Sequence, residues 1–311
     1  MWGEIPAKTN DWEGGGVTTI TEDRIASAQE LAGKSFSEFT KDDFIAYYFN
    51  TTGFSLSAFN DHKQIAKEYL RDIGAGEALI DLLPIRFQDL DHEDKMENEF
   101  FADFNDLYET LVTRINKLSI KVDSSIFDAQ AAILMVAWAG VTSDDAANIK
   151  KSDVNEYAGA VIVNGREYKI PQDGMNLVVR YAKNNRLIKQ NNNGLCEMFL
   201  KDSNYLFRTF KTDKMTPHAI RASVPTKLNI PNDKEFSYNN VRLSGVFWRA
   251  MQFEKENGTI IAPARGSPDE TKDAFRRGME IIFDQKITND AALRQMLARY
   301  RAYKNFFHKR K

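Results

Sequence analysis

Apolar positions recur at three- and four-residue spacing along most of the chain, which predicts a mostly α protein. The first twenty residues, with the run DWEGGGVTTI, lack that period and read as an irregular arm, with a helix following over Thr21–Ala32. Thr40-Lys41-Asp42-Asp43 predicts a capped helix start, because the hydroxyl can accept a free N–H and the acids sit at the positive end of the dipole. That helix runs to Asn50. The next spans Ser55–Leu70 through Lys63, Ile65, Ala66, Tyr69 and Leu70, and Gly74 and Gly76 end it. A short helix over Glu77–Leu83 stops at Pro84. These elements make a small helical bundle.

The acidic stretch Asp89–Glu97 reads as a linker into a long helix, Glu97–Leu118. Ser125–Ala139 is apolar nearly all round, so it is expected at the buried centre of a larger domain. Thr142 or Ser143 can cap the helix that follows, with Asp144 and Asp145 in its first turn. The period then changes to two. Ala160–Val163 and Glu167–Ile170 flank Asn164-Gly165, a tight-turn signal for a β-hairpin. A helix over Gly174–Arg186 and a polar loop, Lys189–Gly194, come next. Thr216 as cap and Pro217 in the first turn open another helix, and further helices are expected over Asn239–Glu256, Pro268–Lys286 and Thr288–Lys309. No internal repeat or low-complexity segment occurs. The expected architecture is a helical N-terminal domain (1–88), a mainly helical domain with a small β-sheet (92–260) and a C-terminal helical extension (261–311).

Composition removes whole classes. The 311 residues are 42% hydrophobic and 28% charged, an ordinary soluble balance with length enough for a core. Cys196 is the one cysteine, so no disulfide framework or cysteine-based zinc site forms within one chain, and a reducing, cytoplasmic compartment is expected. The longest apolar run, Ala131–Gly140, is too short to span a bilayer, and no basic-then-apolar leader opens the sequence. The net charge of −2 conceals a split. Residues 1–125 hold 12 Lys+Arg and 24 Asp+Glu, a net of −12, whereas residues 126–311 hold 30 and 20, a net of +10. That asymmetry points to a polyanionic partner for the second half, with mutual attraction of the halves as the plain alternative.

Several motifs carry no chemistry. Gly33-Lys34-Ser35 resembles the end of a phosphate-binding loop, but Ala28 stands where the first glycine belongs. His62, His92, His218 and His308 are scattered, so neither a metal nor a cofactor is expected. Cys196 has no neighbouring base, and no G-x-S-x-G elbow is present.

One segment does. Thr216-Pro217-His218-Ala219-Ile220-Arg221 places a histidine and an arginine three apart on one helical face near the N-terminus, where free N–H groups and a guanidinium suit a phosphate oxygen. The string resembles the second signature box of tyrosine recombinases, the phage-integrase family. Upstream, Ala139-Gly140-Val141-Thr142-Ser143-Asp144-Asp145 through Asp153-Val154 resembles the family's first box, in which a buried helix ends in T-G-L-R. The β-hairpin falls where the family has its three-stranded sheet, and SLSAFNDHKQIAKEYL resembles its core-binding domain. The resemblance covers residues 36–257.

Carried over residue by residue, the resemblance implies a degenerate site. The first-box arginine aligns with Thr142, and a hydroxyl cannot replace a bidentate guanidinium. Such a loss costs about 10²–10³ in rate. Arg166 and Lys169 are the two candidates for the hairpin lysine, His218 and Arg221 match, and Trp248 is a poor match for the next box. Phe253 occupies the neighbourhood of the nucleophilic tyrosine and has no oxygen to attack phosphorus. Tyr238 comes too early, and Tyr300 and Tyr303 too late. A scaffold that keeps its DNA grip without cleavage resembles the integrase-like master repressors of SPβ-type Bacillus prophages, which hold lysogeny at operator sites.

The family clamps duplex DNA in a C-shape, so the resemblance implies contacts from Asn60, Lys63 and Lys67 on the N-terminal side. From the larger domain it implies contacts from Lys150, Lys151, Arg166, Lys169, His218, Arg221, Arg242 and Arg249. The expected partner is double-stranded DNA, not a membrane. Three other readings stay open: an active recombinase using Tyr300 or Tyr303, an accessory architectural DNA protein, and an interaction protein that has lost DNA binding, which the overall charge of −2 permits. The last helix is amphipathic through Leu293, Met296, Leu297, Tyr300 and Phe307. It serves either self-association or folding back on its own domain, with folding back preferred. A protein antagonist and the operator sequence lie beyond sequence reasoning.

Overall fold

The computed structural model describes residues 17–52, 56–75, 85, 90, 92–119, 124–191, 194–230, 233–262, 268–283 and 288–309. The fold is mostly helical with a small three-stranded antiparallel sheet, as the hydrophobic period predicts. The chain divides into two compact units, residues 1–94 with 288–302 and residues 95–287 with 303–311. The C-terminal segment is thus shared between the units. No described helix is long and apolar enough to cross a membrane.

The first unit contains α1 (Val17–Ala32), α2 (Lys41–Thr52) and α3 (Leu56–Asp72). The predicted cap at Thr40 is present: its hydroxyl accepts the Asp43 N–H at 3.4 Å, and its hydroxyl and N–H both donate to the Asp43 carboxylate, at 2.6 and 2.7 Å. Aromatic rings fill this core, with Phe36 against Phe39, Phe44 and Tyr47 at centroid distances of 4.8, 5.1 and 5.3 Å. Phe59, His62, Ala66 and Leu70 recur at helical spacing and form the buried face of α3. His62 accepts from the Arg24 guanidinium at 2.9 Å and faces the Tyr47 hydroxyl at 3.3 Å. Burial, and then the Arg24 charge, push its pKa down to about 4, so the imidazole is neutral and its remaining proton points at Tyr47. The helix expected over Glu77–Leu83 and the first sixteen residues of the arm lie outside the described residues.

The second unit is built around α6 (Asp128–Trp138), every residue of which is buried, as its apolar circumference requires. Around it lie α4 (His92–Glu99), α5 (Phe104–Leu118), the one-turn α7 (Ser143–Ala146), α8 (Gln172–Lys183), α9 (Pro217–Leu228), α10 (Tyr238–Asn257) and α11 (Pro268–Phe283). The sheet has strand order β1 (Val154–Asn155), β2 (Ala160–Val163), β3 (Arg166–Lys169), with Val163 opposite Arg166. Both turn residues have positive φ, 52° at Asn164 and 78° at Gly165, the conformation that the Asn-Gly pair favours.

Two segments differ from expectation. The supposed linker and long helix become α4 and α5. The break at 100–103 is fixed by Asp103, whose carboxylate accepts from the Asp106 N–H at 3.1 Å, and by Ser244, whose hydroxyl accepts from the Phe101 N–H at 3.0 Å. The supposed loop 189–194 belongs to a second hairpin, β4 (Arg186–Asn191) paired with β5 (Gly194–Phe199). Its asparagine-rich sequence, poor in strand formers, hides it.

The last helix, α12 (Asp290–Lys309), ends by folding back on the second unit. There the buried Tyr303 donates to the carbonyls of Phe101 and Ala102 at 2.7 and 2.9 Å, and Lys304 pairs with Glu254 at 2.6 Å.

Candidate nucleic-acid interface

The two sequence motifs meet at one point in space. Thr216 caps α9 by accepting from the Ala219 N–H at 3.1 Å, with Pro217 in the first turn as the sequence predicts. This start presents His218 to solvent and turns Arg221 inward. The Arg221 guanidinium donates to the Ser143 hydroxyl at 2.6 Å, joining residues 78 positions apart. Ser143 is buried and opens α7 beside Thr142. The Thr142 hydroxyl donates to the Asp145 carboxylate at 2.7 Å and accepts the Asp145 N–H at 3.2 Å. Thr142 is therefore a helix cap, and the first-box position carries no charge.

The sheet is tied to the same place. Asn164 at the hairpin turn donates to the Asp145 carboxylate at 3.2 Å. Two residues on, the Arg166 guanidinium lies over the Tyr168 ring, 5.1 Å from its centroid. From α10 come Arg242 and Arg249. Arg249 donates to the Trp138 carbonyl at 2.9 Å, at the end of α6. Burial and the like charge of Arg166 push its pKa down to about 10. Burial likewise holds Arg242 below the ordinary arginine value, against the nearby Tyr238 and Tyr168 hydroxyls. Tyr238 donates to the Val141 carbonyl at 2.9 Å and is pushed upward by burial, with Arg242, Arg221, Asp144 and Asp145 all close enough to act on its ionisation. Three guanidinium groups thus have fixed partners here: Arg166 over Tyr168, Arg249 on the Trp138 carbonyl and Arg221 on Ser143. Guanidinium groups can clamp phosphate oxygens.

Of the other predicted DNA contacts, Lys169 shares a pocket lining with Arg249. Lys169 is exposed, bonded to Glu167 at 2.9 Å and to the Ala158 carbonyl at 3.2 Å, and lines a pocket of about 430 Å³ with Arg249 and Trp248. Lys150 is exposed, and its main chain bridges to Tyr205. Lys151 is half-buried, and burial, then Arg208, lowers its pKa. On α3, Asn60 is exposed and Lys67 half-buried, while the Lys63 ammonium already donates to the Ile85 carbonyl at 2.6 Å. The exposed positions of α3 include Asn60, Asp61, Gln64, Glu68, Arg71 and Asp72, a mixed-charge face. Phe253 is half-buried and lines a second pocket, about 490 Å³, with Trp248, Arg249 and Ile281. Tyr300, like Tyr303, is buried. Sequence reasoning missed Ser143 as the anchor of Arg221, Tyr168 as the ring under Arg166, and Tyr238 as the donor to Val141. An Arg-x-Tyr spacing at 166–168 is the faint signal for the second of these.

The sequence matches no protein-family model and no curated protein. Among solved structures it is similar to the Tn1549 transposon integrase in complex with transposon right-end DNA, at 13% identity and a TM-score of 0.35, over 91% of this chain and 93% of that one.

Proposed function

We propose that the chain is a sequence-specific double-stranded DNA-binding protein that does not cleave its substrate, and that it acts as a transcriptional repressor of the prophage type. The observation that carries the reading is the Arg221–Ser143 hydrogen bond, which unites the two recombinase-like motifs. Guanidinium contacts to the backbone supply affinity and register, while specificity requires base-edge contacts from other side chains. Three features support the absence of cleavage. Thr142 is consumed as a cap, Phe253 has no nucleophilic oxygen, and Tyr300 and Tyr303 are both buried, the latter donating its hydroxyl to main-chain carbonyls. The repressor role rests on the sequence resemblance alone.

The test is DNA binding by His218→Ala and Arg221→Ala as a function of salt. Each substitution is expected to weaken binding to every duplex, and Arg221→Ala, which removes a fixed charge, to weaken it about tenfold and lower the salt slope by about one. Unchanged affinity and slope in both variants would remove this surface from the interface.

A further inference from the structure

The lysines of the second unit divide by what holds them. Lys183, Lys201 and Lys234 each bond an acid, Glu156, Asp213 and Asp106, at 2.9, 3.2 and 3.0 Å. Lys214 is held differently. Its ammonium donates to the side-chain carbonyl of Asn148 and lies 5.2 Å from the centroid of the Tyr205 ring, and it forms no ion pair with any described residue. Both partners are neutral, and both are fixed. The Asn148 amide donates to the Asp144 carbonyl at 2.8 Å. On either side of Tyr205, the Asn204 carbonyl accepts the Lys151 N–H at 2.7 Å and the Leu206 N–H donates to the Ile149 carbonyl at 2.8 Å. A carboxylate would orient the ammonium and cancel its charge, whereas an amide and a ring orient it and leave the charge whole.

The place matters as much as the partners. Asn148 lies two residues beyond the end of α7, and Arg221 bonds Ser143, the first residue of α7, at 2.6 Å. One short helix therefore has a cation bonded at its start and another bonded just past its end. Arg221 is also held by a neutral oxygen, with no ion pair to a described residue. Lys214 stands two residues before Thr216, the cap of α9, and four before the exposed His218. Two oriented cations beside one short helix, neither neutralised by an acid, fit a ligand with regularly repeated negative groups.

We propose that Lys214 contacts the phosphate backbone of duplex DNA, set in place by Asn148 and Tyr205 as Arg221 is by Ser143. This rests on the DNA-binding reading and deepens it, adding a phosphate contact that the sequence motifs do not single out. The fixed setting lowers the cost of ordering a long side chain when the backbone arrives. Asn148 is a positioning residue, which acts through the ammonium that it holds.

The full chain is compared with Lys214→Gln, Lys214→Arg, Lys201→Gln and Asn148→Ala by thermal unfolding and by duplex binding across a salt series. Lys214→Gln is expected to weaken binding to every duplex about fivefold and to lower the salt slope by about one. Lys201→Gln removes a charge from the same loop that Asp213 already pairs, so affinity should change by less than about twofold, with the slope unchanged. Asn148→Ala keeps the Lys214 charge and loses its hold, so affinity should fall about twofold with the slope unchanged. Lys214→Arg keeps the charge and should keep the slope. Equal effects of Lys214→Gln and Lys201→Gln would overturn the proposal, because any surface charge would then serve as well. A Lys214→Gln variant that melts several degrees lower, with Lys214→Arg losing as much affinity, would also overturn it and make Lys214 structural. If Arg221→Ala loses duplex binding while Lys214→Gln binds as the original does, the DNA-binding reading stands and this proposal falls. If the original chain binds no duplex at low salt, both fall.

Discussion

Gly245→Ala is expected to destabilise the second unit by about 3 kcal/mol or more, the range of a severe overpacking change. An added methyl group would meet the Trp138 carbonyl oxygen head-on, with the carbonyl carbon at 2.9 Å and the indole Cδ2 at 3.0 Å. The obstacle is main chain at the end of a fully buried helix, so it cannot rotate aside as a flexible side chain would. Relief requires α10 to move away from α6. That movement would strain the bonds from Tyr238 to Val141 and from Arg249 to Trp138, and would displace Arg242 with them. DNA affinity should therefore fall together with stability. Urea unfolding provides the measurement, and Gly258→Ala the control. Gly258 has φ 63° with open space around it, so its substitution carries only conformational strain of about 1 kcal/mol. Equal effects at the two glycines would mean that the close approach of α10 to α6 is not what Gly245 serves.

The second large effect is expected at Arg114, buried on α5 with 3% of its surface exposed. Its guanidinium donates to the Leu228 carbonyl at 2.6 Å and the Lys234 carbonyl at 2.8 Å, approaches Asp233 at 3.5 Å, and lies 5.3 Å from the centroid of the Phe236 ring. One side chain thus fixes the segment between α9 and α10, and with it the entry of α10. Arg114→Met preserves most of the volume but strands two main-chain acceptors, so a loss of about 3 kcal/mol is expected. Lys117, exposed and bonded to the same Asp233 at 3.1 Å, serves as comparison. Its replacement by methionine should change stability by no more than about 0.5 kcal/mol. Comparable losses at both positions would show that the ion pair with Asp233, and not the carbonyl bonds, is what matters at Arg114.

How much of this was legible in the sequence depended on how local the signal was. The centre of the second unit was readable, because a segment apolar on all sides has no stable place except a core, and α6 occupies it. The Asn164–Gly165 turn and the Thr216 cap were readable for the same reason, since each is set by chemistry within four residues. The break at 100–103 was not, because half of its fixing comes from Ser244, 143 positions away. The site divides along the same line. His218 and Arg221 are three apart on one helical face and stand out as a pair. The anchor of Arg221 lies on α7, 78 positions away, and Arg249 of α10 finds its acceptor at the end of α6. An arginine in a helix reads as one more solvated charge until the tertiary fold supplies its partner.

The central claim is a DNA grip without strand cleavage, and one experiment tests it most directly. Sheared genomic and phage DNA is captured on the purified full chain, eluted with salt, and the protein then probed for DNA that survives detergent. The account predicts fragments released by salt that share a short motif near promoters, and no DNA attached covalently. A detergent-resistant complex, with the attachment mapped to a tyrosine such as Tyr300 or Tyr303, would contradict it.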